Sequence, residues 1–158
     1  MDTDKLVSTA QALVAPGKGI LAADESSGTI KRRFDAINVE STDDNRRNYR
    51  ELLFRTKGAS EYISGIILFD ETIRQNGADG TPIVQVLTDQ GIIPGIKVDK
   101  GAKNLAGFPG EKVTEGLDGL RERLAEYYDL GARFAKWRAV ITIGENMPSI
   151  ACFQANTH

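Results

Sequence analysis

At 158 residues, with 41% apolar and 27% charged side chains, the chain has the length and composition of one globular domain spanning residues 1–158, which excludes disordered and fibrous classes. A net charge of −2 speaks against nucleic acid or an anionic membrane surface as the main partner. No apolar run approaches the roughly 20 residues of a membrane span, and MDTDKLVSTA lacks the basic-then-apolar form of a signal peptide, so a cytoplasmic address is expected.

In chain order, an amphipathic helix is predicted over about Thr3 to Val14, and Gly19 to Asp24 reads as a buried strand. Helical material runs through Ile37 and again from Asp43 to Phe54, where Thr42 or Asp43 offers a cap. A second strand covers Gly65 to Phe69, a helix Pro82 to Asp89, and a third strand Ile96 to Val98, near the turn glycines Gly91 and Gly95. Lys100 to Gly116 is polar and glycine-rich and reads as a long loop over one end of the sheet, a kind of segment that is usually functional in compact domains. A helix from Leu117 to Leu130 follows, with Leu117, Leu120, Leu124 and Tyr127/Tyr128 spaced for one face. A fourth strand spans about Arg133 to Arg138, and Pro148-Ser149 opens a last helix. Successive βα units imply a parallel sheet covered on both faces, and four of them suit half of an eight-stranded barrel or a small open sheet equally well.

Within the fourth strand, FAKWRAV sets Phe134, Lys136 and Arg138 on one face and Ala135, Trp137 and Ala139 on the other. No acid occurs between Gly131 and Ile143, so an anion facing these cations must come from another strand or from a ligand. Arg offers a planar fork and Lys a compact point charge, which together suit a phosphate beside a second oxygen function. The alternative is two cations snorkelling from an edge strand into water.

At the other end of the chain, GILAAD runs into Glu25-Ser26-Ser27-Gly28-Thr29 and then a basic helix opening at Ile30-Lys31-Arg32-Arg33. A carboxylate at the end of a parallel strand, followed by hydroxyls and a glycine at a helix start, forms an anion cradle with an acid on its rim. A capped helix, with Ser26, Ser27 or Thr29 accepting a backbone N–H, fits the same residues. The single Cys152 excludes an intrachain disulfide and a zinc site of several cysteines and reads as a buried, inert thiol. The single histidine, His158, closes the sequence, which argues against Ser-His or Cys-His catalysis, and neither metal nor cofactor is expected.

KGILAADES (Lys18 to Ser26), NRRNYRELLF (Asn45 to Phe54), GIILFDETI (Gly65 to Ile73), GIKVDKG (Gly95 to Gly101) and FAKWRAV, in that order, closely resemble the class I fructose-bisphosphate aldolases. The resemblance implies an α/β fold of the TIM (β/α)8 barrel family, with active-site groups at the carboxyl ends of the strands. Family members run to roughly twice this length, so only the first four βα units, an incomplete barrel, are expected here. In the family reaction a lysine amine attacks the ketose carbonyl, and the resulting iminium withdraws electrons so that a carbon–carbon bond breaks. Fructose 1,6-bisphosphate thereby yields dihydroxyacetone phosphate and glyceraldehyde 3-phosphate, a step of glycolysis.

By resemblance, Asp24 is the active-site carboxylate that hydrogen-bonds the substrate, and Lys136 orients it and steadies its developing negative oxygens. Arg138 and Lys97 match basic residues at the mouth of the site, while Ser26, Thr29, Arg33 and Arg46 match positions near the phosphates. The family's Schiff-base lysine and principal acid/base glutamates fall on later strands, beyond His158. Lys136 is not expected to replace that nucleophile, so the isolated chain is expected to be inactive. A catalytically silent half-barrel that binds phosphates or a partner chain, and another Schiff-base enzyme acting on a related phosphosugar, are the competing readings. A half-barrel would leave the inward face of Ile67, Ile96 and Phe134 uncovered and the edges of the first and fourth strands unpaired, from which a homo-oligomer is expected.

Overall fold

The structure, a computed structural model, describes residues 2–158. In chain order its elements are α1 (Thr3–Leu13), β1 (Gly19–Ala23), α2 (Ser27–Asp35), α3 (Asp43–Phe54), α4 (Ala59–Tyr62), β2 (Ile63–Leu68), α5 (Asp70–Ile73), α6 (Ile83–Thr88), β3 (Ile93–Lys97), β4 (Ala102–Asn104), β5 (Lys112–Thr114), α7 (Leu120–Asp129), β6 (Phe134–Lys136) and α8 (Ile150–Thr157). Two compact units result, one formed by the chain up to Lys97 with Ala125–Ala135, the other by Val98–Leu124 with Lys136–His158.

In the first unit, local chemistry sets the helix starts. Asp2 caps α1 by accepting the Lys5 N–H at 3.0 Å, and Thr42 caps α3 by accepting the Asn45 N–H at 3.1 Å. β1 pairs parallel with β2 and β2 parallel with β3, and β6 continues the four-stranded sheet in the order β1-β2-β3-β6. Register then separates two faces. Ile66 opposes Pro94 and Leu68 opposes Ile96. These side chains are buried, with Ile66 and Ile96 at 1% exposure and Leu68 at 0%, and α5 and α6 lie close to β3. Each such aliphatic removed from water contributes roughly 1.5–3 kcal/mol.

The opposite face carries Ile20, Ala22, Gly65, Ile67 and Gly95. Gly65 and Gly95 leave room there for the Phe134 ring, and Leu13 at the end of α1 also reaches Gly65. Ile96, expected to share a face with Ile67 and Phe134, lies on the other face of the sheet, because its partner is Leu68 and side chains alternate along a strand. Ile67, expected to be uncovered, lies on the face with Ala22 and Gly95 and is buried. The expectation of a buried first strand is also corrected: Gly19, Ile20 and Ala22 are exposed, since β1 closes one end of the sheet order and has β2 alone beside it.

α7 begins at Leu120 rather than Leu117, which lies outside the helix and is exposed. Its buried Tyr127 donates from its hydroxyl to Asp70 Oδ1 at 2.9 Å, and Arg74 Nη1 donates to Glu126 Oε1 at 2.5 Å, tying α7 to α5. The Arg74 hydrogen bond, first among the causes, moves the Glu126 carboxyl below its ordinary range, opposed by burial and the charge of Asp70.

In the second unit the segment read as a long loop contains an antiparallel hairpin, in which Ala102 pairs with Thr114, Lys103 with Val113 and Asn104 with Lys112. Gly116, at φ +135°, closes its base, where a β-carbon would stand 2.9 Å from the Lys100 nitrogen. α8 packs on β5 through Asn156, whose Oδ1 accepts the Thr114 N–H at 3.1 Å and whose Nδ2 donates to Lys112 O at 2.9 Å. Cys152 lies buried between them, as a small apolar group should. β6 ends at Lys136, so the strand expected to run to Arg138 is shorter and its alternation does not extend to that residue.

Candidate functional site

The carboxyl end of β1 turns into the chain Asp24-Glu25-Ser26, and the Ser26 carbonyl begins α2 by accepting from Thr29 N at 2.8 Å and Ile30 N at 2.9 Å. Ser26 occupies the cap position without a side-chain cap bond. Its Oγ instead lies 3.1 Å from Thr29 Oγ1. Two half-buried hydroxyls and the open amino end of a helix therefore stand together, a donor-rich surface for an anionic oxygen. Arg33, one turn further along α2, pairs with Glu25 and donates to the Tyr49 hydroxyl at 3.4 Å. The Glu25 charge, first among the causes, raises the Arg33 guanidinium above its ordinary value.

Register places two more predicted residues. Ala22 opposes Ile67 and Ile67 opposes Gly95, so Asp24, two beyond Ala22, and Lys97, two beyond Gly95, continue one face at the carboxyl ends of β1 and β3. Both are half-buried.

Arg46 and Arg50 project from successive turns of α3 toward the ends of β1 and β2. Arg46 Nε donates to Glu71 Oε1 at 2.9 Å, its Nη2 to Glu71 Oε2 at 2.7 Å and its Nη1 to Ser41 O at 2.5 Å, and it also pairs with Asp43. Arg50 is fully buried; its Nη1 donates to Glu71 Oε1 at 3.2 Å and its Nη2 to the Glu25 carbonyl at 2.6 Å. Burial pulls the Arg50 guanidinium below its ordinary value, opposed by the charges of Glu25 and Glu71. Sequence reasoning missed Glu25, Arg50 and Glu71 as parts of this cluster. The spacing Arg46, Arg50, Phe54 was the available signal, because a residue four before a buried Phe shares its helix face.

In the second unit, Lys136 closes β6 and is half-buried, two residues after Phe134 and so aligned with it. Its carbonyl accepts the Val98 N–H at 3.1 Å. Arg138 is exposed, and its backbone is held from two sides: its N–H donates to Asp99 Oδ2 at 3.3 Å and its carbonyl accepts from Thr114 Oγ1 at 2.8 Å. Buried Asp99 also accepts the Gly101 N–H at 3.2 Å. Arg123, which the sequence did not single out, donates to Val98 O at 3.0 Å and Gly116 O at 2.5 Å and so clamps the loop that carries Asp99. Among the described residues no cluster of His, Cys, Asp and Glu is spaced to hold a metal ion, and no helix is long and apolar enough to cross a membrane.

Comparison with known proteins agrees with these motifs. The family model described as "Glycolytic: Fructose-bisphosphate aldolase class-I" matches residues 5–158. The chain is 65% identical over all 158 residues to the probable fructose-bisphosphate aldolase class 1 of Xanthomonas campestris pv. campestris, covering 47% of that protein. It is 59% identical over 146 residues to the cytoplasmic isozyme of fructose-bisphosphate aldolase from Spinacia oleracea, covering 92% of this chain and 41% of the relative. Among solved structures it is similar, at a TM-score of 0.94 and 54% identity, to a chain of the ternary complex of Plasmodium falciparum fructose-bisphosphate aldolase with TRAP and a small molecule inhibitor, covering 96% of this chain and 44% of that one. The chain thus spans about half the length of the curated relatives it matches.

Proposed function

Because the chain belongs to the class I fructose-bisphosphate aldolase family, we propose that residues 1–158 make up the amino-terminal half of an aldolase barrel domain, its first four βα units. The complete protein is a cytoplasmic, homo-oligomeric lyase that cleaves fructose 1,6-bisphosphate through a Schiff base. The observation that carries this reading is 65% identity over every residue of the chain. The shared face of Asp24 and Lys97 at two strand ends supports it, since barrel chemistry sits at such ends.

In this reading Asp24 accepts a hydrogen bond from a substrate hydroxyl near the bond that breaks, and Lys136 places its ammonium where oxygens gain negative charge. The ammonium is most useful where water is excluded and its charge is already in place. Lys97, Arg138, Arg33, Ser26 and Thr29 receive phosphate oxygens. Arg46 joins them only by exchanging Asp43 or Glu71 for the phosphate, since its nitrogens are engaged with those carboxylates and with Ser41. The covalent lysine and the acid/base glutamates belong to later strands, so this segment alone supplies binding and electrostatics without the imine.

Borohydride trapping tests the assignment. With dihydroxyacetone phosphate present, the complete protein should gain the mass of one reduced adduct, on a lysine outside residues 1–158. The 158-residue chain treated alike should keep its mass. A stable adduct on Lys136 would overturn the reading, and a complete protein that never forms an adduct would favour a silent phosphate-binding barrel.

A further inference from the structure

Arg50 is a fully buried cation on α3, and although its Nε finds no partner, both of its terminal nitrogens donate to groups at strand ends. Its guanidinium reaches the exits of two strands. Nη2 donates at 2.6 Å to the Glu25 carbonyl, which lies in the turn between Asp24 and Ser26, and Nη1 donates at 3.2 Å to Glu71, just after β2. Phe69 covers the same group, with its ring centroid 5.7 Å from the guanidinium carbon. Glu71 is in turn fixed by Arg46 from one turn earlier in α3. One helix thus grips the carboxyl ends of β1 and β2 through a pair of arginines sharing one carboxylate.

We infer that Arg50 is the positioning residue of the Asp24-Glu25-Ser26 turn, holding the peptide that aims Asp24 and opens α2. This inference rests on the reading of Asp24 and Ser26 as substrate groups. The bond is part-buried, so losing Arg50 removes a charged donor from a carbonyl in the middle of the turn.

Hydrogen exchange in this chain tests the grip without any activity. Arg50→Met should speed exchange of the Thr29 and Ile30 amides, the first bonds of α2, by about tenfold while the amides of α6 stay protected. Arg50→Lys, which keeps the charge, should recover part of that protection. If Arg50→Met does not fold, Glu71→Gln, which leaves the Arg50 bond to Glu25 in place and weakens its far anchor, should show the same local pattern to a smaller degree. Uniform acceleration throughout the chain, or none, would overturn the inference. In the complete protein, Arg50→Met should lower kcat through Asp24 and raise KM through Ser26, and added guanidinium ion should restore part of both. Loss of activity without a guanidinium response would assign Arg50 to general stability and also overturn the inference. A wild-type protein without a trappable adduct would refute the aldolase reading, while the exchange result would still decide the grip.

Discussion

The Phe134 ring fills the space that a β-carbon on Gly95 would need: such a carbon would lie 2.3 Å from ring Cζ and 2.4 Å from Cε2. β6 can therefore lay an aromatic across β3 only because β3 is bare at that point. Gly95→Ala should destabilise the protein by about 1–3 kcal/mol through overpacking, measured by urea denaturation. Adding Phe134→Leu to that variant should regain part of the loss. An unchanged midpoint for Gly95→Ala would show that the ring moves aside freely.

Buried Glu111 accepts the Ser149 N–H at 2.7 Å at the start of α8. Hydrogen bonding from Ser149, side chain before backbone, holds its titration below the ordinary value of 4.5. A depressed carboxylate stabilises the fold above its unfolded value, and the contribution fades as pH falls through the lower folded value. Acid should therefore loosen α8, and Glu111→Gln should remove that part of the pH dependence. Melting curves of both proteins between neutral pH and the acid range decide it; parallel curves would contradict the prediction.

Ser149 also caps α8, its Oγ accepting the Cys152 N–H at 3.1 Å. Ser149→Ala should cost about 1 kcal/mol, and Ser149→Asp should largely restore stability, because both side chains cap helices well. Equal stability of all three in thermal melts would assign the cap no energetic role.

In the complete protein, Asp24→Ala and Lys136→Ala should each lower kcat by roughly 10²–10³-fold, the loss typical of one preorganised electrostatic group. Arg138→Ala should mainly raise KM, since phosphate is held alike in ground and transition states. Near-normal kinetics for Lys136→Ala would remove it from the chemistry.

β1 and β6 end the sheet order, and Ile20 on β1 is 44% exposed. Such edges and apolar positions favour pairing with another copy. Sedimentation of the 158-residue chain should show species heavier than the monomer, and Ile20→Lys should shift them toward it. A monomer at all concentrations would count against assembly through this edge.

Much of the chain was legible from local chemistry. α3 starts and stops at Asp43 and Phe54 as read, and Thr42 caps it, because capping needs only a hydroxyl three residues from an N–H. The hairpin at Ala102–Asn104 and Lys112–Thr114 was not legible, as its strands are short, polar and stabilised by pairing with each other. The premature end of β6 at Lys136 was equally hidden, since Asp99, 39 residues earlier, takes the Arg138 N–H.

By itself the sequence determined the family, the alternation of strands and helices and the residue types at the strand ends, because these are written in contiguous motifs and short periodicities. Tertiary structure alone decided which of those residues meet. Glu25 and Arg50 are 25 residues apart and Asp70 and Tyr127 are 57 apart, yet both pairs hydrogen-bond. Parallel pairing brings such distant residues together, since its crossovers return the chain to the same end of the sheet. The cation on α3 that would read as a solvated face is thereby buried beneath the turn carrying Asp24, where the neighbouring carbonyl, Glu71 and the Phe69 ring offset the cost of its burial.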